Sequence, residues 1–144
     1  MLPQQRQAEI LERYSIIPDP QERLAAIVSR RPKTAPLPPE EQTPERIVPG
    51  CQSRVWIAGS VDAETGRCRF RMHAESALVR GLIGLLCDLY DDALPEEIIA
   101  VEPELFERLG IARNLTPTRL NGLAAVRAYL REFALREGGP NANP

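Results

Sequence analysis

The fold is decided by residues 54–73, which read RVWIAGSVDAETGRCRFRMH. Over residues 67–73 arginine or histidine alternates with cysteine, phenylalanine or methionine, which is typical of a strand with one buried face. Residues 54–59 are rich in strand formers, and residues 62–66, Asp-Ala-Glu-Thr-Gly, are typical of a turn. We therefore predict an antiparallel hairpin with one face on the core and the other towards solvent or a partner.

Helical periodicity surrounds this hairpin. The leucine-rich segment 76–90 has too broad an apolar stripe for a surface helix, so we predict that it is the central helix against the sheet. Thr116-Pro117 is a typical helix start and predicts a last helix that reaches about Arg136. The remaining helices are predicted over residues 4–14, from residue 19, and over residues 95–100 and 103–109. Inward positions of the last helix are predicted to be Leu120, Leu123, Val126 and Leu130. The predicted fold class is α+β.

Length and composition exclude several classes of function. The chain has 144 residues, enough for one domain over residues 1–137, and residues 138–144 have the composition of a disordered tail. A net charge of −2 and few aromatic residues argue against nucleic-acid binding. No hydrophobic run reaches the roughly 18 residues that a membrane span needs, and no signal peptide is evident, so we expect no membrane partner and a cytoplasmic protein.

The three cysteines are widely spaced, without a Cys-x-x-Cys pair, which argues against a structural zinc site and a disulfide framework. Cys68 lies on the apolar face of the hairpin and is predicted to be core filler. Cys87 lies on the flank of the central helix and is predicted to be semi-buried and structural. Cys51 follows Pro49-Gly50, so it is expected on a constrained loop. Its window alone leaves two interpretations open: a small apolar filler, or a thiol held at the rim of the core.

Arg119 is unusual because it falls in the first turn of the last predicted helix. A cation at this position opposes the helix dipole, which favours an ion-pairing or functional reason for the residue.

Three segments together resemble the signature blocks of the SufE family: GCQSRVW at 50–56, VRGLIGLL at 79–86 and LTPTRLNGL at 115–123. Their order and separations also match, and the resemblance extends over residues 11–134. It implies a SufE/IscU-like α+β fold, in which a small antiparallel sheet of about three strands packs against several helices.

The resemblance also implies a function. Such a protein accepts sulfane sulfur as a persulfide from a PLP-dependent cysteine desulfurase, either SufS-like or a paralogue. It stimulates that desulfurase and passes the sulfur to a SufBCD-like iron–sulfur scaffold. It acts as a partner of the desulfurase rather than as a stand-alone enzyme, and it needs no metal or cofactor of its own.

The family's sites can be assigned to this chain by the matching positions. Cys51 matches the sulfur-accepting cysteine, and Arg119 matches the arginine that engages the desulfurase. The other positions expected to contact the partner are Gly50, Gln52, Ser53 and Glu75.

One position departs from the family pattern, since His73 stands where an aspartate is common. A histidine beside a thiol would favour thiolate formation at Cys51. The alternative is that His73 simply ends a strand at the surface. A second class of function also stays open, an iron–sulfur scaffold or metal-binding protein of related fold, which would need several ligands to converge on one site.

Overall fold

The computed structural model describes residues 2–138, and a hairpin lies at its centre. Strand β1, Val55–Val61, pairs antiparallel with strand β2, Cys68–Ala74, in a register that places Val55 opposite Ala74 and Val61 opposite Cys68. The four residues of β2 that face inward, Cys68, Phe70, Met72 and Ala74, are all buried. The predicted hairpin and its buried face are therefore confirmed.

The turn between the strands is held by local hydrogen bonds. The Asp62 carboxylate accepts from the backbone N–H groups of Glu64 at 2.8 Å and Thr65 at 3.1 Å. Gly66 then adopts a φ of 73°, a left-handed conformation that glycine enters at little cost. This turn chemistry fixes the register and therefore decides which side chains reach the core.

The sheet has two strands among the described residues, fewer than the expected number of about three. The segment before β1 crosses the hairpin but makes only isolated bridges, Pro36 with Met72 and Ile47 with Trp56. Proline has no N–H to donate to a ladder, and this segment contains several prolines, so its pairing does not extend into a strand. The α+β class of the fold is as predicted.

Six α-helices pack around the hairpin in the described part of the chain. They are α1, Pro3–Ser15; α2, Pro20–Ser29; α3, Ala77–Tyr90; α4, Pro95–Ala100; α5, Leu105–Arg108; and α6, Pro117–Gly138. Short 3-10 turns lie at Pro39–Glu41, Pro44–Arg46 and Ala112–Asn114. None of the helices within residues 2–138 is both long and apolar enough to cross a membrane.

Helix α3 is the central helix, as predicted. The Ser76 hydroxyl caps it by accepting a hydrogen bond from the backbone N–H of Val79 at 3.4 Å. Strand β2 and helices α1, α2 and α6 all pack on α3. This enclosure corrects the expectation that Cys87 is semi-buried, because the side chain is 0% exposed and the flank of the helix is covered as well as its apolar stripe. Burial raises the pKa of the Cys87 thiol far above its ordinary value.

Helix α6 is the longest element of the described chain and connects the core to the Cys51 loop. Leu123, Val126 and Leu130 are buried as predicted, whereas Leu120 is 38% exposed because the first turn of the helix extends past the core. Gly138 is the last residue of α6, so the expected tail does not start there. The rest of that expected tail, residues 139–144, lies outside the described residues.

Candidate functional site

An open pocket of about 480 Å³ forms where the Cys51 loop meets the start of α6 and one side of α3. The loop contributes Cys51, Gln52 and Ser53. The pocket is otherwise lined by Ser76, Val79, Leu82, Ile83, Thr116, Thr118, Arg119, Gly122 and Leu123. Two of the three family-like sequence blocks supply the loop and the start of α6, and the third supplies the apolar floor.

The Cys51 thiol points at helix α6. Its Sγ atom lies 3.6 Å from the backbone oxygen of Gly122, so the S–H group donates a hydrogen bond to that carbonyl. The side chain is half-buried. Burial raises the pKa of the thiol above its ordinary value, so the resting site favours the protonated form.

The loop lies close to α6 because both surfaces carry small residues. Gly50 has a φ of +91°, and a Cβ atom built on it would lie 3.2 Å from the Cβ of Ala125. A Cβ atom on Gly122 would lie 3.9 Å from the Cys51 Sγ. Gly50 therefore provides both the backbone conformation and the close approach that seat the thiol on the helix.

Arg119 is the one cation among the described residues that line the pocket. Its backbone N–H donates to the Thr116 hydroxyl at 3.2 Å, which fixes the first turn of α6. Its side-chain Nε is buried and has no hydrogen-bond partner among residues 2–138, and its guanidinium forms no ion pair within that range. A buried donor without a partner is uncommon in a folded protein and is costly unless a ligand or solvent meets it.

Glu75 lies at the far end of the Cys51 loop rather than in the pocket. Its carboxylate accepts a hydrogen bond from the backbone N–H of Arg54 at 3.1 Å, and its own N–H donates to the Arg54 carbonyl at 3.1 Å. These two bonds tie the exit of the loop to the segment that precedes α3. In this structure Glu75 supports the loop through the backbone.

His73 does not line the pocket. It is paired with Trp56 across the hairpin, and the two rings pack with centroids 5.8 Å apart on the outer face. The upward shift in the pKa of Cys51 comes from burial alone. The suggested tuning of the thiol by His73 therefore has no supporting contact and stays a prediction.

Cys68 and Cys87 are fully buried in the core. Burial raises the pKa of Cys68 to about 11. Within residues 2–138 no group of three or more His, Cys, Asp or Glu side chains is arranged to hold a metal ion.

Several residues of the site were not predicted from the sequence. The Cys51 loop packs against Gly122 and Ala125, two small residues three positions apart on α6. This spacing could have indicated that another segment approaches the helix closely. Ser76, Thr116 and Thr118 also line the pocket, and although Thr116 and Thr118 lie in the block at 115–123, no role at the site was assigned to them from the sequence.

Comparison with known proteins gives two findings. A family model described as SufE, Fe-S metabolism associated domain, matches residues 8–134. A solution structure of a hypothetical protein from Thermus thermophilus is similar to this chain, with a TM-score of 0.69 and 25% sequence identity over 91% of this chain and 94% of that chain. The predicted resemblance is thereby confirmed, and the chain belongs to the SufE family of iron–sulfur metabolism proteins.

Proposed function

We propose that the protein is a sulfur carrier that takes sulfane sulfur from a PLP-dependent cysteine desulfurase onto Cys51 and passes it to an iron–sulfur scaffold. The observation that carries this proposal is the meeting of Cys51 and Arg119 in one pocket, since these are the two residues that match the family's reactive and partner-engaging positions. Membership of a family associated with iron–sulfur metabolism supports the same function.

The transfer is a thiol–disulfide exchange in which sulfur is the cargo. The Cys51 thiolate attacks the outer sulfur of the desulfurase persulfide, and a new S–S bond forms on Cys51. The S–S bond of the donor breaks, and the donor cysteine leaves as a thiolate. The rate depends on the fraction of Cys51 present as thiolate and on its access to the donor.

The resting geometry restricts both of these factors. Burial and the hydrogen bond to the Gly122 carbonyl favour the protonated thiol, which is a poor nucleophile. The proposal therefore includes an outward movement of the Cys51 loop when the partner docks, with Gly50 as the pivot. In the resting position the shielded thiol is less exposed to oxidation.

Two exposed residues, one beside Cys51 and one beside Arg119 in the chain, suit a docking role. Gln52 is exposed beside Cys51, and Leu120 exposes 38% of its apolar side chain in the first turn of α6. An exposed leucine that directly follows Arg119 in the chain offers an apolar contact to a docking partner, and protein interfaces commonly combine apolar contacts with a polar rim. We propose that Gly50, Gln52, Ser53 and Arg119 contact the desulfurase, whereas Glu75 acts by holding the loop.

The proposal is tested by following radiolabelled sulfur from cysteine in the presence of a desulfurase. The Cys51→Ser variant should take up no label and should not stimulate the desulfurase, because no other described cysteine is accessible. Cys68→Ala and Cys87→Ala serve as matched controls and should keep most of both activities. Wild-type labelling of Cys51→Ser would contradict the proposal, and stoichiometric iron on the purified protein would support the scaffold alternative instead.

A further inference from the structure

The polar groups that face the pocket are not balanced in charge. The described lining residues include one guanidinium, several hydroxyls and one thiol, and no aspartate or glutamate. The buried Nε of Arg119 has no acceptor within residues 2–138. A cation whose Nε is buried, in a pocket lined by no acid, is a site for an anion, because electrostatic attraction is stronger near a protein surface than in bulk water.

The unloaded thiol does not fill this site. The Cys51 S–H group donates its hydrogen bond to the Gly122 carbonyl, and a neutral thiol is only a weak acceptor for a guanidinium. A persulfide has different requirements. Its terminal S–H is a stronger acid than a thiol, so at neutral pH the loaded cysteine ends in an anionic sulfur that has no proton to donate to a carbonyl.

We propose that the pocket contains an anion site at Arg119 and that the terminal sulfur of a Cys51 persulfide occupies it. This inference rests on the proposed function and adds the position of the cargo. Loading then changes the partner of the sulfur: the unloaded S–H donates to the Gly122 carbonyl, and the loaded sulfur anion accepts from the Arg119 guanidinium. Arg119 is in this sense a positioning residue for the cargo, besides any role in docking.

The shape of the pocket suits a soft anion. Its volume of about 480 Å³ leaves room beyond the thiol for a further sulfur atom. The floor of the pocket, formed by Val79, Ile83 and Leu123 among others, is apolar and does not compete for the guanidinium. Sulfur is large and polarisable, so it can contact this apolar floor and still accept a hydrogen bond.

The inference is tested by loading the protein without a desulfurase. Inorganic polysulfide transfers one sulfur atom to the Cys51 thiolate and leaves as a polysulfide that is one atom shorter, and the intact mass reports the gain. A neutral phosphine then removes the sulfur as a phosphine sulfide and restores the thiolate, so the reagent carries no charge that Arg119 could attract. The measured quantity is the rate of sulfur loss.

Arg119→Gln and wild type are compared after loading to the same intact mass, and we expect the variant to lose its sulfur about tenfold faster, as the loss of one hydrogen bond to a charged group would predict. Arg119→Lys should recover part of the protection because it keeps the charge. Arg131→Gln, which removes an exposed arginine from the same helix, is the matched control and should behave as wild type. The Cys51→Ser variant provides the blank.

Two results would overturn the inference. One is an equal rate of sulfur loss from Arg119→Gln and wild type. The other concerns neutral iodoacetamide. If it alkylates the unloaded Arg119→Gln protein faster than unloaded wild type by the same factor as the sulfur is lost faster, Arg119 only keeps the loop closed. Neither outcome depends on a desulfurase, so failure of a desulfurase to load wild-type protein would count against the proposed function alone.

Discussion

Two arginines of helix α6, Arg119 in its first turn and Arg127 further along, lie in contrasting surroundings. Arg127 is 7% exposed, donates to the Ile98 carbonyl at 2.9 Å and to the Glu102 carboxylate at 3.1 Å, and lies 4.7 Å from the centroid of the Tyr90 ring. One of its nitrogens, Nη1, is unmatched among the described residues, but the charge has a partner. Arg119 has a buried Nε and no ion pair within residues 2–138.

This difference separates a structural arginine from a site arginine. In the core, the carboxylate, the carbonyl and the aromatic ring converge on Arg127, so its burial is compensated within the fold. At the pocket, the same type of side chain is held in place without compensation from the described residues. Polar groups left unmatched by the fold are where a ligand or partner is expected to bind.

The largest difference between the pocket and the core should be the rate at which their cysteines are alkylated. Cys51 faces the pocket, whereas Cys87 is enclosed by packed elements and reacts only when the protein opens. Because opening of a core costs about the global free energy of unfolding, we expect native Cys87 to be alkylated at least about 10³-fold more slowly than Cys51. Peptide mapping by mass spectrometry over time measures both rates, and comparable rates would break the contrast.

The pH dependence of the Cys51 alkylation rate tests the direction in which the pKa of this thiol is shifted. Burial raises the pKa of Cys51, so its rate should rise with pH along a curve displaced to higher pH than that of the unfolded chain. The folded form then holds this proton more tightly than the unfolded form. The contribution of the Cys51 thiol to the free energy of unfolding is therefore complete below the ordinary thiol pKa. This contribution is lost as the pH rises through the raised pKa of the folded protein.

The two arginines should differ next in their effect on stability. Arg127→Met keeps much of the side-chain volume but leaves the Ile98 carbonyl without its donor and removes the contact with Tyr90, so we expect the unfolding free energy to fall by about 2 kcal/mol. Arg119→Gln should change it by less than about 0.5 kcal/mol. Denaturant titrations measure both, and an equal loss in the two variants would show that Arg119 is structural after all.

Alanine substitutions at two glycines, one at the pocket and one in the core, should give the smallest difference in the reactivity of Cys51. Gly50→Ala places a Cβ on a residue with φ of +91° and against Ala125, so it should cost about 1 kcal/mol and raise the alkylation rate of Cys51 several-fold as the loop moves away from α6. In Gly59→Ala the new Cβ would lie 2.5 Å from the Phe133 ring, in the core.

Gly59→Ala serves as the control for Gly50→Ala. It should lower stability by a similar or larger amount, since overpacking a core costs about 1–3 kcal/mol, while leaving the Cys51 rate nearly unchanged. If both variants raise the alkylation rate of Cys51 equally, opening of the Cys51 loop depends on the stability of the whole protein and not on the contact between the loop and α6.

The predictions from the sequence succeeded where the information is local. Alternation over residues 67–73 fixes the faces of β2, and the Asp62 to Gly66 turn fixes its register, because strand periodicity and turn chemistry act between near neighbours. The start of α6 at Thr116-Pro117 was predictable for the same reason. The resemblance to the SufE family pointed to Cys51 and to Arg119 separately, and their roles stay predictions; it could not show that the two residues line one pocket.

The less accurate predictions concern contacts between distant segments. The third strand was expected, but the prolines of the segment before β1 allow only single bridges. Leu120 was expected inward and is exposed, because the helical pattern does not show where the core ends along α6. Of the two alternatives left open for His73, its position opposite Trp56 and next to the last residue of β2 is consistent with the end of a strand, and tuning of Cys51 stays a prediction.

The sequence by itself determined the α+β class, the hairpin, the helix starts and the candidate reactive cysteine, since each depends on residues within a few positions or on a recognisable block. Only the tertiary structure decided what surrounds that cysteine: the carbonyl of Gly122 that holds the thiol, the small residues that seat its loop, and the guanidinium of Arg119 that is unpaired among the described residues. These features arise from the packing of α3, α6 and the loop against one another. Burial and charge balance are properties of that packing, and no single segment contains them.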